Sequence, residues 1–471
     1  MKVIKNYLYN AFYQVFILIV PLITTPYLAR VLGPKGVGIN SYTNSIIQYF
    51  ILFGSVGVNL YGNRQVAFVR DNRRKLTETF YEIFFMRMMT VLLSIGAFFL
   101  FLVFVPDYQV YYLAQAVSLI AAAFDVSWFF MGVENFAVTV FRNLIVKVIT
   151  LISIFTLVRS YDDLTMYILI LSLSLLLGNL MLFPGLHKYI DKPEFSSLKI
   201  GRHFKPSLLL FIPQIATQIY LVLNKTMLGS MISVQASGYF DQSDKMVKMV
   251  LAIVTATGTV MLPHVANAFA NGEHEKTKDY LYSSFSFVSS LSIPMMFGLA
   301  VITPKFVPLF FTSKFSSVIP IMVIESIVIL LIAWSNVIGT QYLLPTNQTR
   351  SFTLSVVVGA VVNLIANIPL IWIYGAVGAS IATVLSELSV TIYQLVVIRK
   401  QVNYKLLFDD IFKYFIAGVL MFLTVLFWDR LMSDSWLSLV VEVIIGIVVY
   451  LICLLVLRAK ILFKLKSVLN G

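Results

Sequence analysis

The stretch Phe204–Lys248 reads FKPSLLLFIPQIATQIYLVLNKTMLGSMISVQASGYFDQSDKMVK. An apolar run from Ser207 to Ile232 is long enough to cross a bilayer. A hydrocarbon core of ~30 Å, climbed at ~1.5 Å per residue, takes about 20 residues. Inside the run stand Pro213, Asn224 and Lys225. A Lys within a spanning helix costs roughly 2.5–3.5 kcal/mol on insertion scales, so its presence needs a reason. The run gives way to Leu228-Gly229, a short loop, and Gly238-Tyr239-Phe240. The N-terminus follows the same plan. Tyr7–Leu32 is apolar, is broken by Pro21 and Pro26, carries Arg30 near its end, and leads through Leu32-Gly33 and a short loop to Gly38. Each half therefore opens with a Pro-containing helix that bears a cation near its far end and turns at Leu-Gly. Internal repetition in a membrane chain is the sequence sign of two lobes with a binding site between them.

The bulk numbers set the solvent. The chain has 471 residues, 59% hydrophobic and 12% charged, with a mean hydropathy of +0.88. A soluble domain is about half apolar and a quarter charged, so the expectation is an all-α polytopic membrane protein. The single Cys453 excludes an internal disulfide framework and a multi-Cys metal site. His187, His203, His264 and His274 fall in or beside loops without metal-ligand spacing. No nucleophile–base arrangement or cofactor motif is present, and no Gly-x-x-x-x-Gly-Lys-Ser/Thr phosphate loop. The reading is neither an enzyme nor a self-powered ATPase.

Fourteen apolar runs are predicted to span: 8–31, 39–61, 80–105, 110–131, 136–158, 164–183, 208–232, 239–262, 281–303, 317–340, 352–374, 377–398, 411–431 and 436–457. They group into a six-span half, 1–183, a basic linker, 184–206, a second six-span half, 207–400, and an appended pair with a basic tail, 401–471. The first run lacks an Ala-x-Ala cleavage site and reads as a span rather than a removed signal peptide. With the N-terminus inside, 23 of the 35 Lys and Arg fall in inside segments and six, including Lys305, in outside ones. That bias places both termini in the cytoplasm. It explains most of the net charge of +13 as flanks facing anionic lipid, without a nucleic-acid partner.

Embedded charges are the candidate functional groups. Arg87 and Arg142 lie near span ends, where an Arg can snorkel its head to the interface. Lys147 is deeper. Asp241–Lys245 and Asp244–Lys248 are i, i+4 pairs in the favourable order at the start of span eight. Lys225 has no such partner on its own helix; its nearest candidates are Asp241 and Asp244. The embedded acids Asp125, Glu325, Glu387 and Glu442 either balance these cations or carry a coupling ion. Asn363 and Asn367, four apart in span eleven, suit interhelical hydrogen bonding.

Residues 206–216 (PSLLLFIPQIA), 224–229 (NKTMLG) and Gly238-Tyr239 resemble the polysaccharide-transporter family of oligosaccharide flippases, within the multidrug/oligosaccharidyl-lipid/polysaccharide exporter superfamily. Residues 27–36 (YLARVLGPKG), 141–147 (FRNLIVK) and 375–387 (GAVGASIATVLSE) are similar to its first, fifth and twelfth spans. Asn224 departs from that pattern, where Asp is the commoner residue. The resemblance implies about fourteen helices, two pseudo-symmetric six-helix lobes in a V and two extra helices. It implies export of an undecaprenyl-pyrophosphate-linked repeat unit from the inner to the outer leaflet of a bacterial cytoplasmic membrane. A cavity lined by Arg30, Arg142, Lys147 and Lys225, with Arg87 and Lys245 as second choices, would receive the diphosphate; Asp125, Glu325 and Glu387 would balance charge or couple an ion. Membrane lipids, and the polymerase and chain-length proteins of the same pathway, are the expected partners. The alternatives are a cation-coupled multidrug antiporter of the same superfamily, which calls for more embedded acids than cations, and a membrane polysaccharide polymerase, for which no loop is long enough.

Overall fold

The computed structural model describes the backbone of residues 2–462, and the side chains of residues 19–462 except 136, 197, 212–214, 216, 217, 219–221, 257, 259 and 260. The side chains of Lys2, Lys5, Pro213, Lys464 and Lys466, used in the sequence reading, lie outside this set. Among the described residues all regular structure is helical. In chain order the helices of six residues or more are α1 (Lys2–Ser55), α2 (Val58–Val69), α3 (Arg73–Phe104), α4 (Gln109–Ala123), α5 (Ser127–Gly132), α6 (Phe136–Leu157), α7 (Leu164–Leu180) and α8 (Phe204–Met231), then α9 (Val234–Ala270), α10 (His274–Phe310), α11 (Val318–Ser335), a π segment (Asn336–Leu343), α12 (Thr349–Tyr374), α13 (Ala376–Ile398), α14 (Ile411–Asp429) and α15 (Trp436–Val456).

Eleven helices among the described residues are long and apolar enough to cross a membrane, or twelve if the bent pair within α9 counts as one span. The exact count of about fourteen is not confirmed among the described residues, since the side chains of the expected spans 8–31 and 208–232 fall partly outside them. The apolar run 19–69 holds two helices that meet at a kink rather than one straight rod. The run is interrupted by Gly33, at φ 66° and ψ −179°, a left-handed φ that glycine adopts without steric cost. The loop expected at 34–37 is absent, because Pro34 restarts the helix at its first position, where a missing N–H is harmless. At the matching place in the second half, α8 ends at Met231 and α9 begins at Val234, capped by Ser233, whose hydroxyl accepts from the Ala236 N–H at 3.2 Å. α12 and α13 are two separate helices, as the turn residues 374–378 suggested. Gly375 (φ 58°) makes the turn, and Gly378 packs so closely that a Cβ there would lie 1.9 Å from the Leu370 carbonyl oxygen.

The chain divides into two compact units, Met1–Thr226 and Met227–Gly471. In the first, one core gathers Tyr61, Phe80, Ile83, Trp128, Phe129 and Leu186. A second joins Ile47, Val91, Phe98, Tyr112 and Leu119. Gly62 and Gly132 admit Trp128 and Val66: a Cβ at either would meet the neighbouring side chain at 2.5 Å. In the second unit, Ile293, Met296, Tyr414, Met421 and Tyr450 pack α10, α14 and α15 together. Large apolar side chains such as Leu92, Leu93, Phe104, Trp372, Ile373 and Leu437 point outward. This is the surface that an acyl-chain solvent accepts and water does not.

The stretch 184–206 belongs to the first unit and is strapped to α2 and α3. Arg73 grips Asp191 with Nε–Oδ2 2.9 Å and Nη2–Oδ1 2.8 Å. Glu82, 1% exposed, accepts from the Lys199 N–H (2.6 Å) and from Arg202 Nε (2.9 Å), and its Oε2 lies 2.6 Å from His203 Nε2. His203 Nδ1 is 2.7 Å from the Tyr61 hydroxyl. Burial pushes the His203 imidazole below its ordinary value, against the opposing pull of Glu82.

Candidate functional site

Arg87 is buried at 2% exposure. The expectation that it snorkels is corrected: its head turns inward. Nε donates to the Ala122 carbonyl (2.6 Å), Nη1 to Asn59 Oδ1 (2.7 Å), and Nη2 lies 3.4 Å from Asp125 Oδ2. Asp125 is held in turn by the Ser127 N–H (3.0 Å) and hydroxyl (2.5 Å). Burial of a guanidinium requires this degree of satisfaction, since an unpaired ion in low dielectric costs several kcal/mol. Arg142 is half-buried on α6 and donates through Nη1 to Asn179 Oδ1 at 2.8 Å; Asn179 Nδ2 donates to the Ala121 carbonyl at 2.8 Å. Arg87 directly, and Arg142 through Asn179, therefore converge on the carbonyls at the C-terminal end of α4. A helix C-terminus favours positive charge, and this placement fixes both guanidinium groups.

Arg30 is exposed, three residues before the Gly33 break, with Nη1 donating to the Pro26 carbonyl at 2.8 Å. Lys147 is exposed on α6, five residues past Arg142, and Lys225 is half-buried beside buried Asn224. In the second unit Lys245 pairs with Asp241 at 2.5 Å and Lys248 with Asp244 at 2.7 Å, in the i, i+4 pattern the sequence suggested. Glu325 is buried and accepts from the Ser243 hydroxyl; Glu387 is buried on α13. Asn367 Nδ2 donates to Asn363 Oδ1 at 2.9 Å, both fully buried.

Three arrangements escaped the sequence reading. Asn44 donates to Gln115 Oε1 at 3.3 Å, and Gln115 donates to Asn40 Oδ1 at 3.2 Å. Asn40 and Asn44 are an i, i+4 amide pair like Asn363 and Asn367, so the signal was present. The Glu82 cluster had no signal beyond an acid in an apolar helix. Third, Lys305 is buried within α10, not in an outside loop. Its ammonium lies 2.9 Å from Asp429 Oδ1 and 2.5 Å from Glu442 Oε1. It was read as a loop residue because α10 continues through Pro304 and Pro308.

Next to that triad lies an apolar cavity of about 530 Å³ bounded by α9, α10, α14 and α15, with Pro294, Gly298, Met421, Gly446 and Tyr450 on its walls and Glu442 on its border.

Residues 3–269 match the sequence pattern of the family described as polysaccharide biosynthesis protein, which is more than half of the chain. The chain belongs to that family. Relatives agree over longer stretches. A protein of Escherichia coli (strain K12) named as an O-antigen transporter is 22% identical over 412 residues, covering 86% of this chain and 97% of the relative. The Haloferax volcanii protein named as a low-salt glycan biosynthesis flippase, Agl15, is 23% identical over 268 residues, 55% of each. Among solved structures, lipid II flippase MurJ in an inward closed conformation superposes with a TM-score of 0.76 at 15% identity, covering 97% of this chain and 100% of that one. That likeness establishes the all-helical fold of this family member.

Proposed function

We propose that this protein moves an undecaprenyl-pyrophosphate-linked oligosaccharide repeat unit from the inner to the outer leaflet of a bacterial cytoplasmic membrane by alternating access. It acts as a transporter rather than a catalyst. The observation that carries the reading is Arg142: a half-buried guanidinium on the apolar helix α6, donating to Asn179. A diphosphate needs fixed cations in a wet, low-dielectric site, and a guanidinium binds it through two parallel N–H groups. Arg30, Lys147 and Lys225 are the further cations we assign to the anionic head. Arg87 positions Arg142 by sharing the end of α4. Lys245 is a weaker candidate, because Asp241 already engages it. We assign Asp125, Glu325 and Glu387 to charge balance or ion coupling. The names of the relatives, an O-antigen transporter and a glycan flippase, support the substrate class. The apolar cavity of the second unit suits a stretch of polyprenyl chain. A drug–cation antiporter would need embedded carboxylates open to a cationic drug, whereas Asp125 and Glu442 are engaged by Arg87 and Lys305.

The test is leaflet accessibility of the lipid-linked unit in cells carrying the wild type, a deletion, or Arg142→Ala. Accumulation on the cytoplasmic side in the deletion and in a normally inserted Arg142→Ala supports the proposal. Normal arrival at the outer leaflet in the deletion overturns it.

A further inference from the structure

A second polar site lies within the C-terminal unit, and none of the embedded cations discussed above lines it. It is a cavity of about 600 Å³ where the start of α10, the end of the π segment and the end of α13 meet. Its charged and polar walls are His274, Lys278, Tyr342, Gln348, Lys400 and Gln401, and no carboxylate is among the lining residues. The cavity is built rather than incidental. Gln348 and Gln401 form a reciprocal amide pair, each Nε2 donating to the other's Oε1 at 2.9 Å. The Tyr342 hydroxyl donates to Gln401 Oε1 at 3.3 Å. These bonds hold the loop after the π segment against the end of α13, so the cavity shape does not depend on a ligand.

The electrostatics favour an anion. Lys278 and Lys400 bring two ammonium groups, His274 adds a ring nitrogen, and all three stand at the start of α10 or just past the end of α13. Lys278 has one competing partner, Glu275, at 2.8 Å, but Glu275 is 86% exposed. An ion pair with a solvated carboxylate is worth roughly 0–1 kcal/mol, and a doubly charged ligand displaces it. On the orientation given by loop charge, this end of the unit faces the cytoplasm, where Lys276, Arg350 and Arg399 also lie.

We propose that this cavity binds a phosphoryl group on the cytoplasmic side, carried either by the headgroup of an acidic phospholipid or by a soluble phosphate ester. Lys278 and Lys400 neutralise the charge, His274 adds a ring nitrogen to the same wall, and the amide pair, its donors taken up by Thr346, Val397 and each other, holds the walls in place. The site adjoins the π segment through Tyr342, and π segments in otherwise α-helical spans are frequent at functional sites.

The test uses the full-length protein in nanodiscs of zwitterionic lipid. Titration calorimetry with inorganic pyrophosphate reads the soluble source. Native mass spectrometry with added phosphatidylglycerol reads the lipid source. The wild type is expected to bind at least one probe, and Lys278→Ala/Lys400→Ala to weaken it by about tenfold or more through loss of two charge-assisted contacts. A control pair, Lys276→Ala/Arg399→Ala, removes equal charge outside the cavity and is expected to leave binding within about twofold, as screened surface charges do. Binding of pyrophosphate alone assigns a soluble ligand, and binding of the phospholipid alone assigns a headgroup. Absence of both, or equal weakening by the control pair, overturns the proposal.

Discussion

At the scale of single residues, the structure separates embedded charges that hold the protein together from those left for a ligand. Arg87 makes three contacts that satisfy a fully buried guanidinium, with Ala122, Asn59 and Asp125. Removing one partner of a buried ion pair costs about 3–5 kcal/mol, because the other charge stays behind. Arg87→Ala is therefore expected to lower the melting temperature and yield of the detergent-purified protein sharply. Arg142 is half-buried and donates to the neutral Asn179 amide, so Arg142→Ala is expected to fold closer to normally than Arg87→Ala. Size-exclusion profiles and thermal melts of both variants check this; equal stability would place Arg87 among the ligand-facing groups. Sequence distinguished these two Arg poorly, since both stand a similar distance from a span end. What separates them is Asp125, which reaches Arg87 only through the turn after α4. No spacing in the chain announces that pairing.

At the scale of elements, the turns and the Gly33 break were legible, and the continuation of α10 through Pro304 and Pro308 was not. Gly375 and Gly378 marked a reversal between two apolar runs, and the structure shows α12 and α13 packed with no room for a side chain at 378. Gly378→Ala is expected to force the two helices apart and destabilise the protein strongly, because the atom it meets is backbone. Gly33, at φ 66° and ψ −179°, occupies a backbone region open essentially to Gly alone, so Gly33→Ala is expected to cost about 1–3 kcal/mol. Thermal melts of the two variants should rank in that order. The stretch 184–206 was read as a linker, because Glu82 and His203 are 121 residues apart in the chain. Burial holds the His203 imidazole below its ordinary value of 6.5. A base with a depressed folded pKa stabilises the fold fully above its unfolded pKa, and that contribution fades as pH falls through 6.5 toward the folded value. The melting temperature is thus expected to fall from pH 8 to pH 5.5, and less so in His203→Gln. An equal fall in both would remove His203 from the account.

At the scale of the whole molecule, composition was enough to read a polytopic all-helical chain, and the match over residues 3–269 places it in the polysaccharide biosynthesis protein family. The membrane makes this possible: with no water to satisfy backbone groups, long apolar helices are the required form, and they are visible as composition. Tertiary pairing is what composition hides. Lys305 counted as a loop charge until α10 was seen to run through two prolines and bury it between Asp429 and Glu442. The central claim is that the embedded cations serve a lipid-linked diphosphate. Its most direct measurement is transbilayer movement of a fluorescent undecaprenyl-pyrophosphate-linked oligosaccharide in vesicles containing only the purified protein. The account predicts movement that protein-free vesicles lack, slowed about tenfold or more in folded Arg142→Ala through loss of a charge-assisted contact. Movement no faster than in protein-free vesicles, with the wild type correctly folded and inserted, would contradict it.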